Sequence, residues 1–196
     1  MRQRILDASL LLVSAGGFGT VTISAVAREA GIATGAVYKH FASKAELFAE
    51  VFRRATEKEL AVVREHALAE GAPSKRLLNT IEAFSARAIR GRRLAYALIA
   101  EPVDALVDAE RLRYRRAYAE IFEQLVEDGI RRGDFPAQEA SVSAAALVGV
   151  ISEALVGPLT WTDGAEPAIE AAALIQSIQT FCLRAVALRD RAVPGD

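Results

Sequence analysis

Residues 22–47, TISAVAREAGIATGAVYKHFASKAEL, constrain the fold of this chain more than any other segment. Thr22 is a residue type that caps helix N-termini, and Gly31 is the type that ends helices in a left-handed conformation. Between them, apolar residues recur at i, i+3, i+4 and i+7, the spacing of one helix face; they are Ile23, Val26, Ala27 and Ala30. The segment therefore predicts a short helix, a glycine turn and a second short helix, which is the layout of a helix-turn-helix.

The second helix of this segment, predicted over residues 33–41, has an almost bare outer face. At about 100° per residue, Val37 and Phe41 stack on the side that must face the core. Gly35 and Lys39 point the opposite way, where a solvated helix normally has several long charged side chains. The pattern indicates a helix whose backbone can approach the groove of a nucleic acid closely.

A third helix is predicted to begin at Ser43, which forms an S-x-x-E capping box with Glu46. Lys44 lies in the first turn of this helix, where a cation opposes the helix macrodipole. A phosphate bound by Lys44 and the free backbone N–H groups would reverse that cost. The position therefore favours a contact with a nucleic-acid backbone.

This run of residues resembles the DNA-binding head of the TetR (tetracycline-repressor-like) family of transcriptional regulators. The family pattern is matched in step over about the first quarter of the chain, at Thr22, Ala27, Ala30, Gly31, Ile32, Gly35, Val37, Tyr38, His40, Phe41, Ser43, Lys44 and Leu47. Val26 stands where the family often has Ile, a change without consequence for a core position.

The resemblance, together with position in the motif, implies a division of labour at DNA. Phosphate contacts fix the register of a protein on the duplex, whereas base contacts specify sequence. The expected phosphate contacts are Thr22, Tyr38, His40 and Lys44, and the residues expected nearest the base edges are Thr34, Gly35, Ala36 and Lys39. Two alternatives stay open: Lys39 as an ordinary solvated residue, and His40 as a side chain that hydrogen-bonds locally.

Composition predicts an all-α protein of the cytoplasm. Hydrophobic residues make up 52% of the 196 residues and aromatic residues only 7%, and abundant Ala, Leu and Arg favour helices. No stretch approaches 18 uninterrupted apolar residues, and the first ten residues do not form a signal peptide, so we expect no membrane association. A single cysteine, Cys182, excludes an internal disulfide and fits a reducing compartment.

The net charge of −1 divides unevenly along the chain. Residues 1–55 contain seven basic and four acidic residues, a balance of +3, and the remainder contains 17 basic and 21 acidic residues, a balance of −4. The positive charge therefore coincides with the helix-turn-helix segment. Because the bias is modest, we expect dimerisation to add affinity that one head lacks.

Periodicity and breakers predict about nine helices in two domains. We expect a three-helix DNA-binding head over residues 1–48 and a ligand-binding and dimerisation domain over residues 49–196. Glycine and proline residues delimit the later helices, which are predicted over residues 43–68, 74–91, 92–101, 108–132, 137–156 and 167–189.

The last two predicted helices, over residues 137–156 and 167–189, are apolar around most of their circumference. Such a helix is buried on more than one side. Paired across a two-fold axis, the two helices of each subunit would form a four-helix interface, an arrangement that the family resemblance also implies. The predicted interface residues are Leu147, Ile151, Leu155, Ile175, Ile178 and Cys182; the alternative is that both helices lie inside a monomer.

The middle of the chain, from Leu77 to Tyr118, is where the resemblance implies a pocket for a small-molecule effector. A mostly apolar cavity with few polar groups is typical of such sites. The expected lining is Phe84, Tyr96, Ile99, Glu101, Tyr114, Tyr118, Phe122 and Trp161, although aromatic residues at helical spacing are often ordinary core. The arginine runs near residues 90 and 113 are interpreted as solvated faces or ion pairs.

The sequence provides no sign of catalysis, of a cofactor or of a metal site. Only two histidines are present, His40 and His66, and there is no metalloprotease motif, phosphate-binding glycine loop or nucleophile elbow. The hypothesis is therefore a homodimeric regulator that binds a palindromic operator in double-stranded DNA and is released by an effector. Repression is implied by the resemblance alone, and a DNA-binding dimer without an effector is the alternative.

Overall fold

The structure, a computed structural model, describes residues 1–160 and 169–187, and this part of the chain is all-α, as predicted. It contains nine helices and no strand: α1 (Arg2–Gly16), α2 (Ile23–Glu29), α3 (Thr34–Val37), α4 (Lys44–Ala67), α5 (Pro73–Arg90), α6 (Arg92–Ile99), α7 (Ala105–Arg132), α8 (Ala140–Leu159) and α9 (Ala171–Ala187).

The turn between α2 and α3 has the chemistry that the sequence predicts. The Thr22 hydroxyl accepts a hydrogen bond from the backbone N–H of Ala25 at 3.1 Å, which caps α2. Gly31 adopts a φ of 63°, in the left-handed region that favours glycine. The Arg4 guanidinium donates to the carbonyl oxygen of Ala30 at 2.5 Å and so ties α1 to the end of α2.

Helix α3 is shorter than predicted. It spans Thr34–Val37 rather than residues 33–41, and residues 38–40 continue as a turn. The backbone N–H of His40 donates to the carbonyl oxygen of Val37 at 2.9 Å, a bond over three residues that tightens the chain. Lys39 and His40 therefore lie just beyond the helix end.

Helix α7 begins earlier than the sequence indicates. Asp104, rather than Asp108, caps it, because the Asp104 carboxylate accepts a hydrogen bond from the Leu106 backbone N–H at 2.9 Å. Both aspartates are good caps, and sequence alone does not choose between them. Helix α8 similarly continues through Pro158 to Leu159 instead of ending at residue 156.

Two hydrophobic clusters form the core, and the boundary predicted at residue 48 does not separate them. The head cluster contains residues of α1–α4 and extends through Phe52 to Ala97 of α6 and to Val107 and Tyr114 of α7. The second cluster is formed by α4, α5 and α7–α9. The head therefore packs directly against α6 and α7.

The prediction of which side chains form a subunit interface is wrong for five of the six residues. They lie inside the chain's own core, where each is less than 5% exposed; they are Leu147, Ile151, Leu155, Ile178 and Cys182. Only Ile175 is partly exposed. Helical periodicity shows that a helix is apolar all round but does not show which of its faces turns inward.

Helix α8 is the single described helix that is long and apolar enough to cross a membrane, by length and composition only. The core helix of a soluble protein passes the same test. One stripe of α8 packs against α5, α6, α7 and α9, and the opposite side of the helix is exposed.

Candidate DNA-reading face and effector cavity

The predicted DNA-contact residues are on the surface of the head. Seven of the eight are exposed and Ala36 is half-buried. They come from the start of α2 (Thr22), from α3 (Thr34, Gly35, Ala36), from the turn after it (Tyr38, Lys39, His40) and from the first residue of α4 (Lys44). Val37 and Phe41 are buried, as the sequence predicts, and anchor this surface to the head core.

Gly35 has open surroundings on this face. A Cβ atom built at Gly35 meets no atom within 4 Å, and the φ of Gly35 is not positive. Neither strain nor packing inside the described residues therefore requires a glycine here. The absence of a side chain leaves the backbone accessible at the surface, as expected where another molecule approaches closely.

The N-terminus of α4 is built as the capping box predicts. The Ser43 hydroxyl accepts from the Glu46 backbone N–H at 3.0 Å, and the Glu46 carboxylate accepts from the Ala42 backbone N–H at 2.6 Å. The Lys44 ammonium lies 5.0 Å from the centroid of the Phe48 ring and forms no ion pair within the described residues. A positive side chain is thus presented beside a positive helix end, an arrangement suited to an anion.

A cavity of about 130 Å³ lies between α4, α5, α6, α7 and α8. One face of each helix lines it. On α4 the lining residues recur at i, i+4, i+7 and i+11 (Phe52, Thr56, Glu59, Val63), and on α7 they recur at i, i+3, i+4, i+7 and i+11 (Arg111, Tyr114, Arg115, Tyr118, Phe122). The wall is mostly apolar, as in small-molecule sites.

An ion pair forms part of the polar wall of this cavity. The Arg87 guanidinium donates to both carboxylate oxygens of Glu59, at 2.6 and 2.8 Å. These hydrogen bonds raise the pKa of Arg87. The paired charges make this part of the wall close to neutral.

Two tyrosines of α7 project polar ends into the same region. Burial, with the hydrogen bond to Glu57 at 3.0 Å, raises the pKa of Tyr114 to about 12. Burial and the negative charge of Glu59 raise the pKa of Tyr118 as well, so both phenols are neutral near pH 7. The Tyr118 ring packs edge-on against Phe84, with centroids 5.8 Å apart.

Glu101 does not line the cavity, contrary to the prediction, and instead joins the core to the head. It lies between α6 and α7, and its carboxylate accepts hydrogen bonds from the backbone N–H groups of Phe18 and Gly19, both at 2.9 Å. A Cβ at Gly17 would lie 2.6 Å from Glu101 Oε2. The close approach of the carboxylate therefore requires glycine at position 17 of the α1–α2 loop.

Arg111 connects the cavity wall to this contact. It is a lining residue, and its guanidinium donates to the carbonyl oxygens of Glu101 at 2.7 Å and of Leu98 at 3.0 Å. Burial lowers the pKa of Arg111, and the charge and hydrogen bond of Asp108 act in the opposite direction. A change at the wall can thus reach the head through Arg111 and Glu101.

The structure brings five of the eight predicted lining residues together around the cavity: Phe84, Ile99, Tyr114, Tyr118 and Phe122. Tyr96 packs against the core without lining it, and Trp161 lies outside the described residues. Thr56, Glu59 and Arg87 were not predicted from the sequence. Arg111 and Arg115 were predicted on solvated faces or in ion pairs, and Arg111 does pair with Asp108 at 3.0 Å, although both arginines also line the cavity. The helical spacing of Thr56 and Glu59 with Phe52 and Val63 on α4 was the available signal.

Comparisons with known proteins agree with the head geometry. Residues 5–51 match the family model of bacterial regulatory proteins, tetR family. Over 76 residues the chain is 42% identical to KstR, an HTH-type transcriptional repressor of Mycolicibacterium smegmatis, in a match that covers 39% of this chain and only 37% of that protein. Over 138 residues it is 29% identical to the repressor KstR2 of Rhodococcus jostii, with 68% of this chain and 67% of that protein covered.

The whole fold is similar to that of the regulator FadR from Bacillus subtilis, solved in complex with stearoyl-CoA. The TM-score is 0.78, and the match covers 94% of this chain and 99% of that chain at 16% identity. At this identity the likeness shows the fold: a helix-turn-helix head followed by a helical domain. The relatives named here are transcriptional regulators rather than enzymes, and residues 5–51 of this chain carry the DNA-binding head of the tetR family of bacterial regulatory proteins, followed by a helical domain with the fold of FadR.

Proposed function

We propose that the chain is a repressor of the cytoplasm that binds a palindromic operator as a homodimer and is released by a small-molecule effector. One observation supports this most strongly: an exposed cationic head and a separate apolar cavity are joined through Arg111 of the cavity wall and Glu101, whose carboxylate binds the head. The relatives KstR and KstR2 are repressors. Selection of bound fragments from random DNA tests the proposal: a palindrome is expected, and enrichment of no sequence would contradict it.

At the operator, α3 enters the major groove and the flanking residues hold phosphates. Gly35 and Ala36 allow the backbone close to the base edges, and the Ala36 methyl can contact a thymine methyl. Lys39 can donate to O6 and N7 of guanine. Thr22, Thr34, Tyr38, His40 and Lys44 complete the proposed contact surface.

Replacement of Lys44 by Ala is expected to weaken binding to all DNA sequences alike. The variant removes one phosphate contact from each subunit. The slope of the logarithm of the DNA association constant against the logarithm of salt concentration therefore becomes shallower by about two per dimer. Fluorescence anisotropy at several salt concentrations measures this. Lys75→Ala is the matched control, because Lys75 is exposed in the first turn of α5, outside the head.

Replacement of Lys39 by Ala is expected to act differently. It should relax the preference at one base pair in each half-site, at a cost of about 1–3 kcal/mol per lost base contact. Binding to a panel of single-base operator variants measures this. An unchanged preference at every position would show that Lys39 is only a solvated residue.

The exposed side of α8 is the proposed dimer surface, in place of the buried residues predicted first. Its members follow the spacing of one helix face and are mostly small, which permits close approach of a second helix: Val142, Ala145, Ala146, Gly149 and Glu153. On α9, Phe181 is 59% exposed and Ile175 is partly exposed. An exposed apolar surface of this kind is typical of a subunit contact.

Replacement of Gly149 by Arg is expected to convert dimers to monomers. A Cβ at Gly149 meets no atom within 4 Å, so the protomer itself should tolerate the change, whereas a charge in an apolar contact is costly. Sedimentation velocity measures the oligomeric state. Gln124→Arg, on the exposed side of α7, is the control; an equally dimeric Gly149→Arg protein would contradict this surface.

Effector and operator are proposed to oppose each other through linkage. If the two ligands favour different separations of the heads, each weakens the other by the same factor, typically about 5–150-fold. FadR of Bacillus subtilis was solved with stearoyl-CoA, which makes acyl-CoA thioesters useful first probes of the cavity here. A ligand that raises the melting temperature and lowers operator affinity supports the proposal; the absence of any such ligand favours the DNA-binding dimer without an effector.

A further inference from the structure

Thr56 lines the cavity and has a buried hydroxyl without a partner. The residue is 4% exposed, it lines the cavity, and its Oγ1 forms no hydrogen bond within the described residues. A threonine inside a helix commonly donates to the carbonyl oxygen four residues earlier, and Thr56 does not donate to Phe52. Burying a hydroxyl without a hydrogen bond costs free energy, which a ligand oxygen at this position would recover.

Tyr118, on helix α7, is half-buried and provides a second hydroxyl without a partner among the described residues. Its ring lines the cavity against Phe84, and its hydroxyl forms no hydrogen bond within residues 1–160 and 169–187. Glu59 is a neighbour of both Thr56 and Tyr118. It lies three residues after Thr56 on the same face of α4, and its negative charge acts on the Tyr118 phenol. Thr56 and Tyr118 are therefore both neighbours of Glu59 in the wall of an apolar cavity.

The charges in this part of the wall determine whether an anionic or an uncharged ligand oxygen is favoured. The Glu59 carboxylate accepts hydrogen bonds from two nitrogens of Arg87, Nε and Nη2, so neither residue is an unpaired charge. Arg111 and Arg115 also line the cavity, but the charged side chains that act on the Tyr118 phenol are Glu59 and Arg87. An anionic ligand group beside Tyr118 would therefore be repelled by Glu59 and would compete with it for Arg87. A hydroxyl or carbonyl oxygen meets no such opposition and can accept from both O–H donors.

We propose that the effector has an apolar body with one uncharged oxygen, a hydroxyl or a carbonyl, bound between the hydroxyls of Thr56 and Tyr118. This rests on the proposed effector role of the cavity and adds the chemical class of the ligand.

The test uses pairs of probes in which one member has a hydroxyl where the other has a methyl group. The pairs are 2-naphthol and 2-methylnaphthalene, 4-hexylphenol and 4-hexyltoluene, and 1-decanol and undecane. Binding of each to the full chain is measured by displacement of an environment-sensitive dye. At least one hydroxyl probe is expected to bind roughly threefold to tenfold more tightly than its methyl partner, the effect of one net hydrogen bond. Equal affinities within every pair would overturn the inference while leaving the apolar effector cavity in place.

Two variants locate the effect. Thr56→Val and Tyr118→Phe each remove a hydroxyl and preserve the shape, so each should reduce the preference for the hydroxyl probe without lowering the melting temperature of the free protein. Ser85→Ala is the matched control, because the Ser85 hydroxyl is also buried and unpartnered but does not line the cavity. A preference unchanged in Thr56→Val and Tyr118→Phe would overturn the inference. Failure of every probe to bind would contradict the effector role of the cavity as well.

Discussion

Replacement of Gly35 by Glu is expected to abolish specific operator binding and to leave the fold intact. A Cβ at this position meets no atom within 4 Å, and the backbone is not in the left-handed region. Glutamate is also a better helix former than glycine, by about 0.5–1 kcal/mol. The free protein should therefore unfold at the same temperature or slightly higher.

At the operator the same change is severe. The new side chain would occupy the space that the base edges need, and its charge would be repelled by phosphates. A loss of about 2 kcal/mol at each of two half-sites corresponds to roughly a thousandfold loss in affinity. Electrophoretic mobility shift and anisotropy measure this, with circular dichroism as the test of folding.

Two controls make the Gly35 result specific. Gly35→Ala adds only the Cβ and should cost much less, and Gln124→Glu adds the same charge on the exposed side of α7. Operator binding by Gly35→Glu within threefold of the unaltered protein would show that α3 does not approach the bases closely.

Replacement of Glu101 by Ala is expected to have the second large effect, a loss of communication between effector and operator. The carboxylate joins the α6–α7 connection to two backbone N–H groups of the head, those of Phe18 and Gly19. Without it, a displacement of Arg111 or of the end of α6 no longer pulls on the α1–α2 loop. The factor by which a saturating effector lowers operator affinity should fall to about threefold or less, from a typical 5–150-fold.

A stability change should accompany the loss of communication. Hydrogen bonds to a charged acceptor contribute about 1.5–3 kcal/mol when buried, and here the Phe18 N–H is partly buried whereas the Gly19 N–H is exposed. We therefore expect the free energy of unfolding to fall by about 1–2 kcal/mol. Operator affinity measured without effector should change much less than the factor by which the effector lowers that affinity.

Glu127→Ala is the control for Glu101, because Glu127 is an exposed acid of α7 that is remote from the head loop. Titration of operator binding with and without effector gives the coupling for each variant. An unaltered coupling in Glu101→Ala would mean that α4, which continues from the head into the wall of the cavity, transmits the signal by itself.

Much of the DNA-reading head could be predicted because its determinants are local. The Thr22 cap, the left-handed Gly31 and the Ser43–Glu46 capping box each depend on residues within four positions of one another, and all three are present in the structure. The burial of Val37 and Phe41 follows in the same way from the period of 3.6 residues. The exact end of α3 did not follow, because hydrogen-bonded turns and short helices have nearly the same local pattern.

The site in the larger domain was predicted less well because it is assembled from five helices. Aromatic residues indicated a cavity near α7, but the contribution of α4 depends on how that helix is rotated against α7. Glu101 shows the difference most clearly, since its partners lie more than 80 positions earlier in the chain. The apolar residues of α8 and α9 posed a similar problem, and five of the six predicted at an interface are core.

By itself, then, the sequence determined the helical class, the helix-turn-helix and its family, because caps, turns and hydrophobic period are encoded within a few neighbouring residues. Tertiary structure alone decided which side of α8 is free, which side chains enclose the cavity, and that Glu101 binds the head. The physical reason is that an amphipathic pattern specifies that a face is buried, whereas the partner that buries it is selected by the packing of all the helices together.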